Sequence, residues 1–216
     1  MKAYGKLVTM LIAAWFTFAL STSALHLFKT QSSRLGAAIG LAALAPIVLF
    51  SLWFAGSDSF RHFALSLNPR TLTYLQFGRL LGVVFLVLMA RGALPAIFAV
   101  PAGYGDIFIG ATASFVAWKL AKPSHRSSFI LWNVLGIADL VIAVGLGTTA
   151  GLISPHSIPM AAATVLPLSL IPTFFVPLFV ILHVICIAQG KDWTTASNNT
   201  QTRRPVQGVA TSALQS

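Results

Sequence analysis

The sequence predicts an all-α protein, a polytopic transmembrane helix bundle of about six spans with a short interfacial helix between spans two and three. Three observations carry that prediction. Hydrophobic residues make up 56% of the 216 residues, and the mean hydropathy is +0.84. Charged residues make up only 8%, against roughly 25% in soluble domains, too few to cover a water-facing surface. Several apolar stretches exceed the roughly 18–20 residues that a helix needs to cross the hydrocarbon core.

Lys2 and Lys6 precede the apolar run Leu7–Leu20, and a first span reads at about 5–27. A positive start, an apolar stretch and the small residues Ser21-Thr22-Ser23-Ala24 also fit a cleaved signal peptide. Because the apolar character continues to Phe28 and five more runs follow, we read a retained span. The second run, 35–56, carries Gly36, Gly40 and Ala43 on one face. Such a strip lets another helix, or a second copy of the chain, approach closely. Pro46 is expected to kink it. In Ser57–Leu67 the apolar residues Phe60, Phe63, Ala64 and Leu67 recur at helical spacing, with Arg61 and His62 on other faces. That pattern fits a helix lying in the membrane interface, ended by Asn68-Pro69.

The third span is read at 71–91. Prolines and glycines then crowd 92–103, which reads equally as a broken, re-entrant segment or as a plain hairpin. Spans four, five and six are read at 103–121, 128–150 and 161–188. Pro167, Pro172 and Pro177 lie in the sixth. Residues 1–190 form one membrane domain. The stretch 191–216 is poor in apolar residues and is predicted to be a disordered cytoplasmic tail. Trp53, Trp118, Trp132 and Trp193 fall near span ends and read as interface anchors, whereas Trp15 lies deeper and is expected to pack.

The net charge of +10 would suggest nucleic acid in a soluble protein. Here the basic residues sit in short loops, where they set orientation and meet anionic headgroups. The partner implied is the lipid bilayer, not nucleic acid. Lys2, Lys6, Arg61, Arg70, Lys119, Lys122, Arg126, Lys191, Arg203 and Arg204 fall on one side, and Lys29, Arg34 and Arg91 on the other. Both termini are therefore expected in the cytoplasm. The single cysteine, Cys186, can form neither an intramolecular disulfide nor a several-cysteine zinc site. It reads as a packing residue.

The acids single out a candidate site. The chain has no glutamate and only four aspartates. Asp58 and Asp192 lie in polar stretches, but Asp106 and Asp139 lie in apolar runs, as does Arg79, with Arg91 at the end of one. Charge is costly there and marks a candidate functional site. At about 1.5 Å per helical residue, Arg79 lies roughly 12 Å and Asp139 roughly 16 Å from the same face. We expect them to pair, with Gln76, Asn133 and His183 adding a polar layer. Arg91 and Asp106 are expected to form a second, outer pair, Asp106 also serving as a helix cap. The phrases from Gly103 to Gly110 and from Gly136 to Ala143 both read Gly-x-small-Asp-apolar-apolar-Ile-small. Since spans four and five run in opposite directions, this echo fits a remnant of an inverted repeat.

No nucleotide-binding loop, zinc-protease helix or nucleophile elbow is present, so neither a cofactor nor a metal is predicted, and an enzyme is not favoured. The phrases LQFGRLLGVVFL, ALPAIFAVPAGYGD, WNVLGIADLVIAVGLG and PLSLIPTFFVPLFVILH resemble an uncharacterised family of small bacterial multi-pass membrane proteins over roughly 70–190. The resemblance implies a bacterial cytoplasmic membrane location and a six-helix plan, and carries no activity. The favoured reading is a transport- or permeation-type protein. The alternatives are a non-catalytic membrane subunit, and a membrane enzyme or haem protein.

Overall fold

The computed structural model describes residues 2–29, 36–153, 158 and 160–202. Among them, six helices are long and apolar enough to cross a membrane: Tyr4–Ala24, Ala37–Gly56, Pro69–Ala90, Ala96–Leu120, Pro123–Ala150 and Ile171–Trp193. No strand occurs among the described residues. The predicted fold class holds, and the chain is a multi-pass membrane protein. Position 35, Arg34, the loop Ser154–His156 and the tail from 203 lie outside the described residues.

Helix α1 (Lys2–Ala24) and α2 (Ala37–Gly56, with Pro46 inside it) form the first two spans. Ser57 then caps α3 (Asp58–Leu65), its hydroxyl accepting from the backbone N–H of Phe60 at 3.3 Å. This is the expected interfacial helix. Phe60 stacks on Trp53 at 3.9 Å, and Arg61 donates through Nε and Nη2 to the carbonyls of Phe54 and Ala55. Those carbonyls belong to the last turn of α2, where backbone acceptors lack helical partners. Asn68 both ends this segment and caps the next, accepting from Arg70 N–H at 2.9 Å, with Pro69 at the first helical position.

Span three departs from the single helix expected over 71–91. It runs as α4 (Pro69–Leu75), a 3₁₀ stretch (Gln76–Gly82) and α5 (Val83–Ala90). Glycine at Gly92 closes α5 with positive φ (68°). The N–H of Gly92 bonds the carbonyl of Met89, and the N–H of Ala93 bonds that of Leu88. This is the paired arrangement by which glycine satisfies a helix C-terminus.

Helix α6 begins at Ala96, immediately after Pro95. The reading of 92–103 as re-entrant or hairpin is thereby corrected, because most of it is the first two turns of span four. Only Gly92 and Pro95 break the chain. Pro101 lies within α6, where a membrane helix tolerates the lost N–H, and α6 ends in a π-turn (Val116–Leu120).

A short 3₁₀ turn (Pro123–His125) leads into α7 (Arg126–Ile153). Span six also differs from the reading of 161–188. A 3₁₀ turn (Met160–Thr164) precedes the span, which starts with a π-turn (Ile171–Phe175) and continues as α8 (Val176–Thr202). Pro167 and Pro172 delay regular helix. Thr202 is well beyond Lys191, where the tail was expected to begin. Extending an established helix adds one hydrogen bond per residue and needs no new nucleus.

Spans three to six make the compact part of the bundle. α6 packs most heavily on the 3₁₀ stretch of span three, and α7 packs on α6 and α8. α2 lies against α8 and the π-turn Ile171–Phe175, and α1 lies against that same π-turn. Two apolar clusters fill the ends. One joins Ala113, Val116, Phe129, Trp132, Leu182 and Ile185, and the other joins Phe85, Leu94, Phe98, Ala99, Ala150 and Met160. Trp132 is buried and donates to Thr112 Oγ1 at 2.9 Å, so it is a core residue and not the expected interface anchor, whereas Trp118 is 78% exposed. Cys186 is buried beside Thr73.

Trp15 ties the peripheral first span to the bundle. Its Nε1–H donates to the carbonyl of Thr173 at 3.2 Å, and its ring packs on Phe174 at 4.7 Å. Thr173 is four residues before Pro177, which has no N–H to offer that carbonyl. Trp15→Phe should therefore lower the unfolding free energy in detergent by about 1 kcal/mol. Thermal melts should show this drop, and Trp118→Phe, at an exposed position, should show none.

Candidate functional site

Arg79 is the largest fully buried side chain among the described residues. Its position follows from the 3₁₀ stretch. With three residues per turn, side chains at i and i+3 eclipse. Gln76, Arg79 and Gly82 are all buried and so form one inward row, continued toward the start of the span by buried Thr73. A regular α-helix, at 3.6 residues per turn, would rotate Gly82 off this line.

Four neighbours meet the guanidinium. Nε donates to Asp106 Oδ1 at 2.7 Å. Nη2 donates to Asp139 Oδ2. Nη1 bonds the Gly136 carbonyl at 3.2 Å and His183 Nε2 at 3.3 Å. Guanidinium has five N–H donors and no acceptor, so four donors are engaged. His183 Nε2 must then accept, which assigns the remaining proton to Nδ1. From there it reaches Asn133 Oδ1 at 2.8 Å, while Asn133 Nδ2 donates to the Phe129 carbonyl at 2.8 Å. His183 is thereby held in one neutral tautomer, with Trp132 packed edge-on against its ring at 5.5 Å.

The expected Arg79–Asp139 pair is present, and Asn133 and His183 join it. Gln76 is buried nearby but bonds elsewhere. Its Nε2 donates to the Phe179 carbonyl at 3.3 Å, and its Oε1 has no hydrogen-bond partner among the described residues. The expected Arg91–Asp106 pair does not form. Asp106 joins Arg79 instead, and Arg91 is exposed and makes no ion pair among the described residues. The reason is the helix start. Counted from Ala96, Asp106 lies roughly 15 Å into span four, level with Arg79. It is no cap, since Pro95 occupies that position.

Glycines create the room, a role not read from the sequence. A Cβ on Gly105 would overlap the Asp139 carboxylate, one on Gly82 would overlap Asp106, and one on Gly136 would overlap the His183 ring. On Gly110 it would lie 2.6 Å from the backbone N of Leu80. The signal was the placement of glycines beside both aspartates in the echoed phrases. Those phrases bring both aspartates to one guanidinium. The strip Gly36, Gly40 and Ala43 behaves differently. Ala43 is buried within the chain, whereas a Cβ on Gly36 or Gly40 would meet nothing within 4 Å among the described residues.

The charge balance is uneven. One guanidinium faces two carboxylates, with a neutral imidazole beside it. Arg79's side chain is 0% exposed, while those of Asp106 and Asp139 are 15% and 17% exposed. With both acids ionised the cluster carries one spare negative charge inside the membrane. Asp106 also lies on the wall of a cavity of about 40 Å³ whose other walls include Phe85, Phe98, Ala143, Met160 and Ile171.

The family model described as a domain of unknown function (DUF8737) matches residues 33–189. The chain belongs to that family. The DUF8737 match extends further than the phrases noted in the sequence, taking in α2 as well as spans three to six. Every residue of the Arg79 cluster falls inside it. No curated protein and no solved structure matches the chain.

Close packing around the cluster predicts a sharp contrast between two glycines of α7. Gly136→Ala should displace the His183 ring and lower stability by about 1–3 kcal/mol. Gly145→Ala, where a Cβ meets nothing within 4 Å, should leave stability unchanged or slightly raised. Thermal unfolding of the two variants in the same detergent measures the difference.

Proposed function

We propose that the protein is a small transport- or permeation-type protein of the bacterial cytoplasmic membrane, with both termini in the cytoplasm. Arg79, Asp106 and Asp139 are its charge-handling element. One observation supports this reading above the others, the spare negative charge of a buried cluster. An unbalanced charge in the bilayer interior costs about 3 kcal/mol or more. A cluster kept only as a structural clamp needs one acid for one base. The second acid gives the site a place for an exchangeable positive charge, of which a proton is the smallest. Intramembrane acids in this setting mark ion and proton paths.

A second reading, a non-catalytic membrane subunit, draws on Gly36 and Gly40. Among the described residues nothing occupies the space beside them where a neighbouring helix would pack, as at small-residue helix contacts in membranes.

Charge displacement after a pH jump separates the two. Protein reconstituted in liposomes on a solid-supported membrane should give a transient current on acidification, saturating near one charge per molecule. Asp139→Asn balances the cluster and should abolish the current. Absence of a protein-dependent current in the wild type, or an equal current in Asp139→Asn, would overturn the transport reading. Stable self-association or a stoichiometric membrane partner together with that absence would favour the subunit.

A further inference from the structure

We propose that the cavity against Asp106 binds a small tertiary or quaternary alkylammonium ion, which takes the place of the proton in the cluster. This rests on the charge-handling reading of the same residues and names a ligand for it.

The chemistry of the walls selects the ligand. Among the described residues Asp106 is the only polar one lining the cavity, and the rest are apolar, with Phe85 and Phe98 packed at 5.3 Å between ring centroids. The spare charge of the cluster is negative, so an anion is excluded and a cation is favoured. Asp106 Oδ1 is taken by Arg79 Nε, and Oδ2 takes no hydrogen bond among the described residues. One open acceptor in an apolar cavity suits a cation with at most one N–H donor. A primary ammonium brings three donors and would leave two unpaired, at a cost of about 1–3 kcal/mol each. A metal ion such as Na⁺ would find one carboxylate oxygen where hard cations take several oxygen ligands.

A trimethylammonium ion matches on three counts. Its one N–H meets the one free oxygen. Its methyl groups meet apolar walls and aromatic rings, which attract such cations. Its bulk also suits the volume, since about 40 Å³ corresponds to roughly three or four waters at ~10–15 Å³ each. The exchange balances. Where the carboxylates hold the exchangeable proton, the cation arrives with one positive charge and that proton leaves to water; where both are ionised, the cation fills the spare negative charge and no proton leaves. No covalent bond to carbon or nitrogen is made or broken.

Equilibrium dialysis of the full-length protein in mild detergent with radiolabelled trimethylammonium tests this, with a pH indicator in weakly buffered solution to count protons. We expect saturable binding near one per chain, with up to one proton released per cation at acidic pH and release falling toward none as pH rises. Tetramethylammonium should compete at least about tenfold better than methylammonium or Na⁺. Asp106→Asn should weaken binding roughly thirtyfold, the loss of a buried charge partner. Ala143→Phe, which fills the cavity from its apolar wall, should abolish binding. Asp58→Asn, at an exposed position, should bind like the wild type. No saturable binding by folded wild-type protein, or binding unchanged in both Asp106→Asn and Ala143→Phe, overturns the proposal. Binding without any pH-jump current would leave the ligand site standing and remove the transport reading. Current without binding would do the reverse.

Discussion

A guanidinium cannot be left bare inside a membrane, and the architecture around Arg79 follows from that constraint. Arg79 is always charged, offers only donors, and sits where water cannot serve it. Its partners come from three other helices: Asp106 from α6, Asp139 and the Gly136 carbonyl from α7, and His183 from α8. The 3₁₀ stretch of span three turns the arginine inward. Glycines let the helices close to within hydrogen-bond reach. Apolar clusters above and below keep the polar layer narrow. Loosening any of these leaves a donor unpaired in a low-dielectric interior, where that is most costly.

The same constraint separates the four helices that form the layer from the two that do not. α1 and α2 are mostly exposed along their lengths, as lipid-facing or partner-facing helices are. α1 is held at one end by Tyr4 against Trp53, Phe60 and Phe63, and further along by Trp15, which donates to the carbonyl in the π-turn Ile171–Phe175 that Pro177 leaves open. Pro177, one of the three prolines of the sixth span, thus leaves a point of attachment for α1. The family match starts beyond α1 and contains the whole polar layer.

Much of the fold was legible because hydropathy reports directly on span number in a solvent that permits few alternatives. The pairing of Arg79 with Asp139 was legible too, since counting residues along a helix gives depth. Asp106 was misplaced for one reason. Five proline and glycine residues between Gly92 and Gly105 were read as one break, whereas only Gly92 and Pro95 interrupt the helix. That shifted the start of span four by seven residues and assigned Asp106 to the wrong partner. The 3₁₀ row of Gln76, Arg79 and Gly82 was hidden because its period of three is close to the helical 3.6 over so short a stretch. The glycine contacts needed to know which helices touch, which composition does not reveal.

Two carboxylates compensating one buried guanidinium is the claim on which the reading of this protein stands. A double-mutant cycle in unfolding free energy tests it most directly, comparing Asp106→Asn, Asp139→Asn and the double variant in one detergent. If either acid alone suffices to balance Arg79, each single change should cost about 1 kcal/mol or less, and the double change about 3 kcal/mol or more, since it leaves a buried charge unpaired. Single losses that simply add up to the double loss, or a single change as damaging as both together, would contradict the account.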